Sequence, residues 1–137
     1  MRTKTELHET SELLLELVGR MHQRFAEVAF ELGLTPPQMG VLKRLDDPYP
    51  MGRLADELHC DASNVTWMTD RLTERGLVER TADPLDRRVK RLVLTEKGRK
   101  LRKEIHRRLG TGIPGLDRLS ASERDALGRL LQRMLAD

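Results

Sequence analysis

DASNVTWMTDRLTERGLVERTADPLDRRVKRLVLT, residues 61–95, is the stretch whose reading decides the fold. From Asp61 to Arg75 the apolar residues recur at helical spacing, and Gly76 ends the pattern. Leu77-Val78-Glu79-Arg80 reads as a strand, Asp83-Pro84 starts a turn, and Val89 to Leu94 reads as the returning strand, closed by Thr95. At about 100° per residue, Val65, Met68, Thr69 and Leu72 share one sector of the helix and must pack on the body. Ser63, Asn64, Trp67, Asp70, Arg71 and Glu74 take the opposite side.

Upstream, Arg53-Leu54-Ala55-Asp56-Glu57-Leu58 is a short helix, His59-Cys60 a tight turn, and Asp61 a cap for the helix that follows. Two short helices joined by a turn and followed by a strand pair follow the order of a winged helix-turn-helix, whose second helix can lie in the major groove of DNA. Thr35-Pro36-Pro37-Gln38 opens a preceding helix as a capping box, Asp46-Asp47-Pro48 ends it, and Tyr49-Pro50-Met51 is extended.

The flanks are helical. Leu7, Leu14, Met21 and Val28, interleaved with Val18, Phe25 and Leu32, form a stripe broken at Ser11, which predicts a long first helix ended by Gly33. Thr95 caps a basic helix through Leu101 and Ile105, residues 110–115 break it, and Ser120 with Glu123 opens a last helix. The expected fold is mostly α with a small β-hairpin wing. A single domain, 1–137, holds a winged helix-turn-helix at 35–95, with helices at 1–33 and 96–137 for dimerisation. Leu7, Leu14 and Val18 on the first helix, and Leu127, Leu131 and Met134 on the last, present more apolar surface than one small domain can bury, which marks an assembly face.

Composition narrows the function. A hydrophobic share of 38% with 34% charged residues suits a helix-rich globular chain, and no apolar run is long enough to span a bilayer. The acidic residues of the first helix are foreign to a signal peptide, so a cytoplasmic location is expected, and one cysteine fits a reducing compartment. Residues 80–108 hold twelve Lys or Arg against four Asp or Glu, so this segment carries a net +8 within a chain of net +3. A basic segment on an acidic remainder points to a polyanionic partner.

Double-stranded DNA is that partner on this reading. Asn and Arg make bidentate hydrogen bonds to adenine and guanine edges, which suits Asn64 and Arg71, while Ser63 and the flanking Thr66 can serve bases or phosphates. Trp67 is the odd member: an aromatic on a polar helix face commonly packs against a neighbour, and otherwise meets thymine methyls or a sugar. Asp70 and Glu74 repel phosphate, so the amino-terminal half of the helix should approach DNA. Arg87 and Arg88 at the hairpin tip suit the negative potential of a narrow minor groove, with Asp86 expected to orient an arginine through a charge-assisted bond.

The combination resembles the MarR (multiple antibiotic resistance regulator) family. The likeness rests on Leu54-Ala55-x-x-Leu58, Val65-Thr66, Arg71-Leu72-x-x-Arg75-Gly76-Leu77-Val78, Asp83-x-x-Asp86-x-Arg88 and Leu94-Thr95-x-x-Gly98. Leu34-Thr35-Pro36 and Leu119-Ser120-x-x-Glu123 extend it over essentially the whole chain. The resemblance implies a dimeric bacterial transcription regulator with interlocked first and last helices, whose DNA affinity is often controlled by a small-molecule effector or by oxidation. It also implies the second helix in the major groove, through Ser63, Asn64, Thr66, Trp67 and Arg71, and Arg87 and Arg88 at the minor groove. A homodimer would set two recognition helices about one DNA turn (~34 Å) or a multiple apart, on a near-palindromic operator that a repressor would occupy.

Two alternatives belong to other classes. A winged helix can serve protein assembly, although a protein interface favours apolar anchors and only Trp67 on this face fits. Cys60 invites a redox-responsive regulator, against the usual burial of a free cysteine in the core. His8, His22, His59 and His106 lack metal-ligand spacing, so no metal and no cofactor is expected. Nor does the chain carry a Gly-rich phosphate loop, paired catalytic acids or a Ser-His-Asp arrangement, and an enzyme is not expected.

Overall fold

The computed structural model describes residues 2–136. Its elements run α1 (Arg2–Glu31), α2 (Pro36–Arg44), β1 (Tyr49–Pro50), α3 (Met51–Glu57), α4 (Ala62–Glu74), β2 (Val78–Ala82), β3 (Lys90–Leu94), α5 (Glu96–Leu109), a 3-10 turn at Leu116–Arg118 and α6 (Ala121–Leu135). The mostly helical fold with a small β wing is as the sequence predicts. The chain divides into two compact units, Phe25–Leu109 and the described part of Met1–Arg24 with Gly110–Asp137.

The first unit is built on one core. Val28 and Ala29 from α1, Met39 and Leu42 from α2, Leu54 from α3, Val65 and Leu72 from α4, Leu92 from β3 and Ile105 from α5 are all buried in it. Burying each such aliphatic side chain contributes about 1.5–3 kcal/mol, which orients every helix of the unit by its apolar face. The capping box of α2 forms: Thr35 Oγ1 accepts from the Gln38 amide at 3.3 Å, and Gln38 Oε1 accepts from the Thr35 amide at 3.0 Å. Polar ties fasten the shell. Arg75 donates to the Gly33 carbonyl at 2.8 Å, and Arg102 on α5 pairs with Asp46 beyond the end of α2. Glu104 takes hydrogen bonds from Arg107 and Arg108, which hold its carboxyl at about 2, and Arg108 reaches Glu31 of α1 at 2.9 Å.

The wing has three strands. β2 and β3 form the expected hairpin, with Arg80 opposite Leu92 and Ala82 opposite Lys90. β1 joins β3 on its other edge, pairing Tyr49 with Leu92 and Pro50 with Arg91. Extended backbone at Tyr49-Pro50 is legible in the sequence; its partner, some forty positions away, is not. Two further details depart from the sequence reading. Met51 lies inside α3 rather than in the extended segment, and Asp61 holds the N-cap conformation without a side-chain cap bond.

Thr95 closes the wing and starts α5 together. Its Oγ1 accepts from the Gly98 amide at 3.0 Å and donates to the Gly76 carbonyl at 2.6 Å. Gly98 is obligatory for close approach: a Cβ there would lie 2.0 Å from the Leu77 carbonyl oxygen. The turn between α3 and α4 needs a left-handed residue, which His59 supplies at φ 51°.

In the second unit α6 begins with its capping box, Ser120 Oγ accepting from the Glu123 amide at 3.2 Å and the Ser120 amide donating to Glu123 at 2.7 Å. No residue of α6 is buried, and Leu131 and Met134 are exposed. On α1 Leu7 and Val18 are exposed while Leu14 is half-buried, as is Leu127 on α6. Among the described residues no helix is long and apolar enough to cross a membrane.

Candidate nucleic-acid interface

The face of α4 divides as the helical wheel requires. Val65, Met68, Thr69 and Leu72 are buried, and Ser63, Asn64, Thr66, Trp67 and Arg71 are exposed. Among the described residues the Ser63 and Asn64 side chains have no protein hydrogen-bond partner, so their polar groups are free for a ligand. The Thr66 hydroxyl is used locally, donating to the Ala62 carbonyl at 3.0 Å. Trp67 is 57% exposed, and the Arg71 guanidinium lies 5.3 Å from its ring centroid. Arg71 also binds Glu74 at 3.1 Å, so an aromatic ring and a carboxylate together hold its fork above the helix surface.

The acidic residues on this face are thus neutralised in place. Glu74 pairs with Arg71, and Asp70 pairs with Arg80 of β2. Arg80 also donates to the buried Thr69 Oγ1 at 2.8 Å and to the Thr66 carbonyl at 3.4 Å. In the sequence Arg80 reads as a strand residue and as the start of the basic segment. No local pattern links positions 70 and 80, because the pairing exists only once β2 lies beside α4.

At the wing tip two aspartates shape the loop between β2 and β3. Asp83 accepts from the Leu85 amide at 2.8 Å, and Asp86 accepts from the Arg88 amide at 3.0 Å. Asp86 therefore orients the main chain of Arg88 rather than a guanidinium fork, a local turn of the kind short acidic side chains favour. The Arg87 and Arg88 guanidiniums make no hydrogen bond or ion pair among the described residues. Leu85, unremarked in the sequence, is 98% exposed beside them. Cys60 is half-buried against the core edge, and among the described residues no group of three or more His, Cys, Asp or Glu is placed to hold a metal.

A helix with a polar outer face, braced from behind by a second short helix and flanked by a three-stranded wing with free arginines at its tip, defines a winged helix-turn-helix protein. Comparison places it more closely. The MarR family model matches residues 34–90, which form a MarR family domain. It is 32% identical over 101 residues to the HTH-type transcriptional repressor MdtR of Bacillus subtilis, covering 72% of this chain and 65% of that protein. The chain spans less than two thirds of the length of the curated relatives it matches. Solved structures cover more. A MarR family protein from Bacillus stearothermophilus superimposes with TM-score 0.80 at 27% identity, over 96% of this chain and 94% of that one. A mutant MarR from E. coli complexed with operator DNA gives TM-score 0.71 at 27% identity, over 96% of each chain.

Proposed function

We propose that this protein is a sequence-specific DNA-binding transcription regulator of the cytoplasm, acting as a homodimer and most simply as a repressor. The observation that carries this reading is the pairing of two free polar surfaces within one unit. Ser63 and Asn64 stand unpartnered on α4, and Arg87 and Arg88 stand unpartnered at the wing tip. A relative named as a repressor and a structural neighbour complexed with operator DNA support it. Ser63, Asn64, Thr66, Trp67 and Arg71 would read the major groove, with the positive end of the helix dipole turned to the backbone. Arg87 and Arg88 would enter the adjacent minor groove, and no enzymatic step is invoked.

The apolar residues of α1 and α6 left uncovered in the single chain support a twofold dimer through Leu7, Leu14, Val18, Leu127, Leu131 and Met134. Such a dimer would select a near-palindromic operator, and a small-molecule effector would release it. The test is selection of bound fragments from the host genome, followed by footprinting. The expected result is an enriched, near-palindromic site with half-sites one helical turn or a multiple apart. Recovery of no enriched sequence would sink the reading.

A further inference from the structure

Leu85 stands at the tip of the loop joining β2 to β3, and 98% of its surface is exposed. The loop around it is pinned. The Asp83 amide donates to the Val89 carbonyl at 2.9 Å, and the Val89 amide to the Asp86 carbonyl at 3.0 Å. The Leu85 amide is held by the Asp83 carboxylate at 2.8 Å, and the ring of Pro84 locks the backbone angle just before it. A leucine on so restrained a tip is held out in water, where it gains nothing from folding. Its neighbours indicate what covers it. Pro84, Asp86, Arg87 and Arg88 are exposed too, so the apolar tip is an island among charges. Leucine is under-represented among the anchors of protein interfaces, and an island this small offers a protein little. Two arginines beside it, without protein partners among the described residues, suit a polyanion instead.

The hydrogen-bonding capacity of the tip is one-sided. The Arg87 and Arg88 side chains only donate, and that of Leu85 neither donates nor accepts. The two side chains that accept, Asp83 and Asp86, are drawn back onto the main-chain amides of Leu85 and Arg88. On the floor of the minor groove an A·T pair carries acceptors alone, whereas a G·C pair adds the guanine 2-amino donor. Against this tip that amine would lose its water and meet no acceptor, the costly way to bury a polar group. It would also project into the space that a branched side chain fills.

From this we infer that Leu85 is a specificity residue of the wing, seated on the minor-groove floor, where it rejects guanine by its 2-amino group. The inference rests on the regulator reading above and adds a contact that the arginines cannot make. Arginines in the groove respond to its potential and width. Leu85 responds to one exocyclic amine, so one base pair at each half-site edge carries its mark.

The probe is 2,6-diaminopurine in place of adenine, which adds only that amine and leaves the major-groove edge and the thymine partner as they were. It is placed one position at a time along the half-site edges of the duplex recovered by genomic selection. Wild-type binding should weaken about 10-fold at one pair per edge, within the usual range for a wrong base pair. Leu85→Ala should cut that penalty below about 2-fold while keeping the wild-type salt slope, because the arginines still hold the wing in the groove. Leu85→Asn, whose amide oxygen can accept from the amine, should cut it as well. Both variants should melt with the wild type, since the side chain is 98% exposed.

No penalised position in the wild type, or an equal penalty in Leu85→Ala, overturns the inference and leaves the regulator reading standing. A salt slope that falls in Leu85→Ala overturns it too, since the wing would then have left the groove. A chain that selects no genomic duplex defeats the regulator reading, and the inference with it.

Discussion

The guanidinium of Arg80, on β2 of the wing, donates to Thr69 Oγ1 on α4 at 2.8 Å and pairs with Asp70 beside it. One side chain thus joins the two elements that would enter neighbouring grooves, and it satisfies a hydroxyl that is fully buried. Wing and helix are thereby tied to one another. The same contact removes the charge of an aspartate that would otherwise face the phosphates.

Arg80→Ala should therefore lower stability by about 1 kcal/mol, the net worth of a hydrogen bond, and the melting temperature by roughly 4 °C. DNA affinity should fall several-fold while the salt dependence of binding keeps its slope, because Arg80 acts by positioning rather than by meeting phosphate. Affinities measured across a salt series check this. A slope reduced by ~1 would make Arg80 a phosphate contact instead.

Arg87→Ala and Arg88→Ala act at the wing tip, far from the core. Each should leave the melting temperature unchanged, weaken DNA binding and flatten any A·T preference at the edges of the half-sites. Binding to duplexes randomised at those edges reads the effect. Unchanged affinity and preference in both variants would mean that the wing stays clear of the groove.

The uncovered apolar face of the second unit gives a mass prediction. Leu131→Asp or Val18→Asp would place a carboxylate twice in a twofold interface, where an unpaired buried charge is strongly unfavourable. Sedimentation equilibrium should show a dimer for the wild type and a monomer for either variant. A wild-type monomer at the concentrations that bind DNA defeats the dimer.

At Gly98 the test concerns the joint between wing and α5. An alanine Cβ would meet the Leu77 carbonyl oxygen at 2.0 Å, and main chain cannot swing aside as a side chain can. Gly98→Ala should cost about 3 kcal/mol, the upper end for overpacking, read by denaturant unfolding. Undiminished stability would show that α5 shifts freely on the wing.

Glu104 supplies a pH signature. Hydrogen bonds from Arg107 and Arg108 lower its pKa from 4.5 to about 2. A lowered carboxylate pKa adds stability that is present above the unfolded value and lost as pH falls toward the folded one. Wild-type melting temperature should drop between pH 5 and pH 2 more steeply than that of Glu104→Gln. Parallel curves would mean that the cluster joining α5 to Glu31 makes no net contribution.

Much of this architecture is legible along the chain because its signals are local. The period of Val65, Met68, Thr69 and Leu72 sets the buried side of α4, and by exclusion the outward side, with no knowledge of what it packs against. The Thr35–Gln38 and Ser120–Glu123 caps fix two helix starts, because both partners lie within one turn. Asp83-Pro84 and Val89 to Leu94 announce the hairpin for the same reason, which is why its strands lie within a residue or two of expectation.

Tertiary structure decided what depends on residues meeting from distant positions. Asp86 looked like a brace for a guanidinium, yet its carboxylate takes the nearer main-chain amide of Arg88, which costs no side-chain ordering. Asp70 looked repulsive until β2 brought Arg80 against it. β1 gained its strand identity only from β3. Periodicity and capping are properties of neighbours in sequence, so the sequence by itself determined the elements and their faces. Charge pairing and strand partnership are properties of neighbours in space, and only the folded chain could settle them.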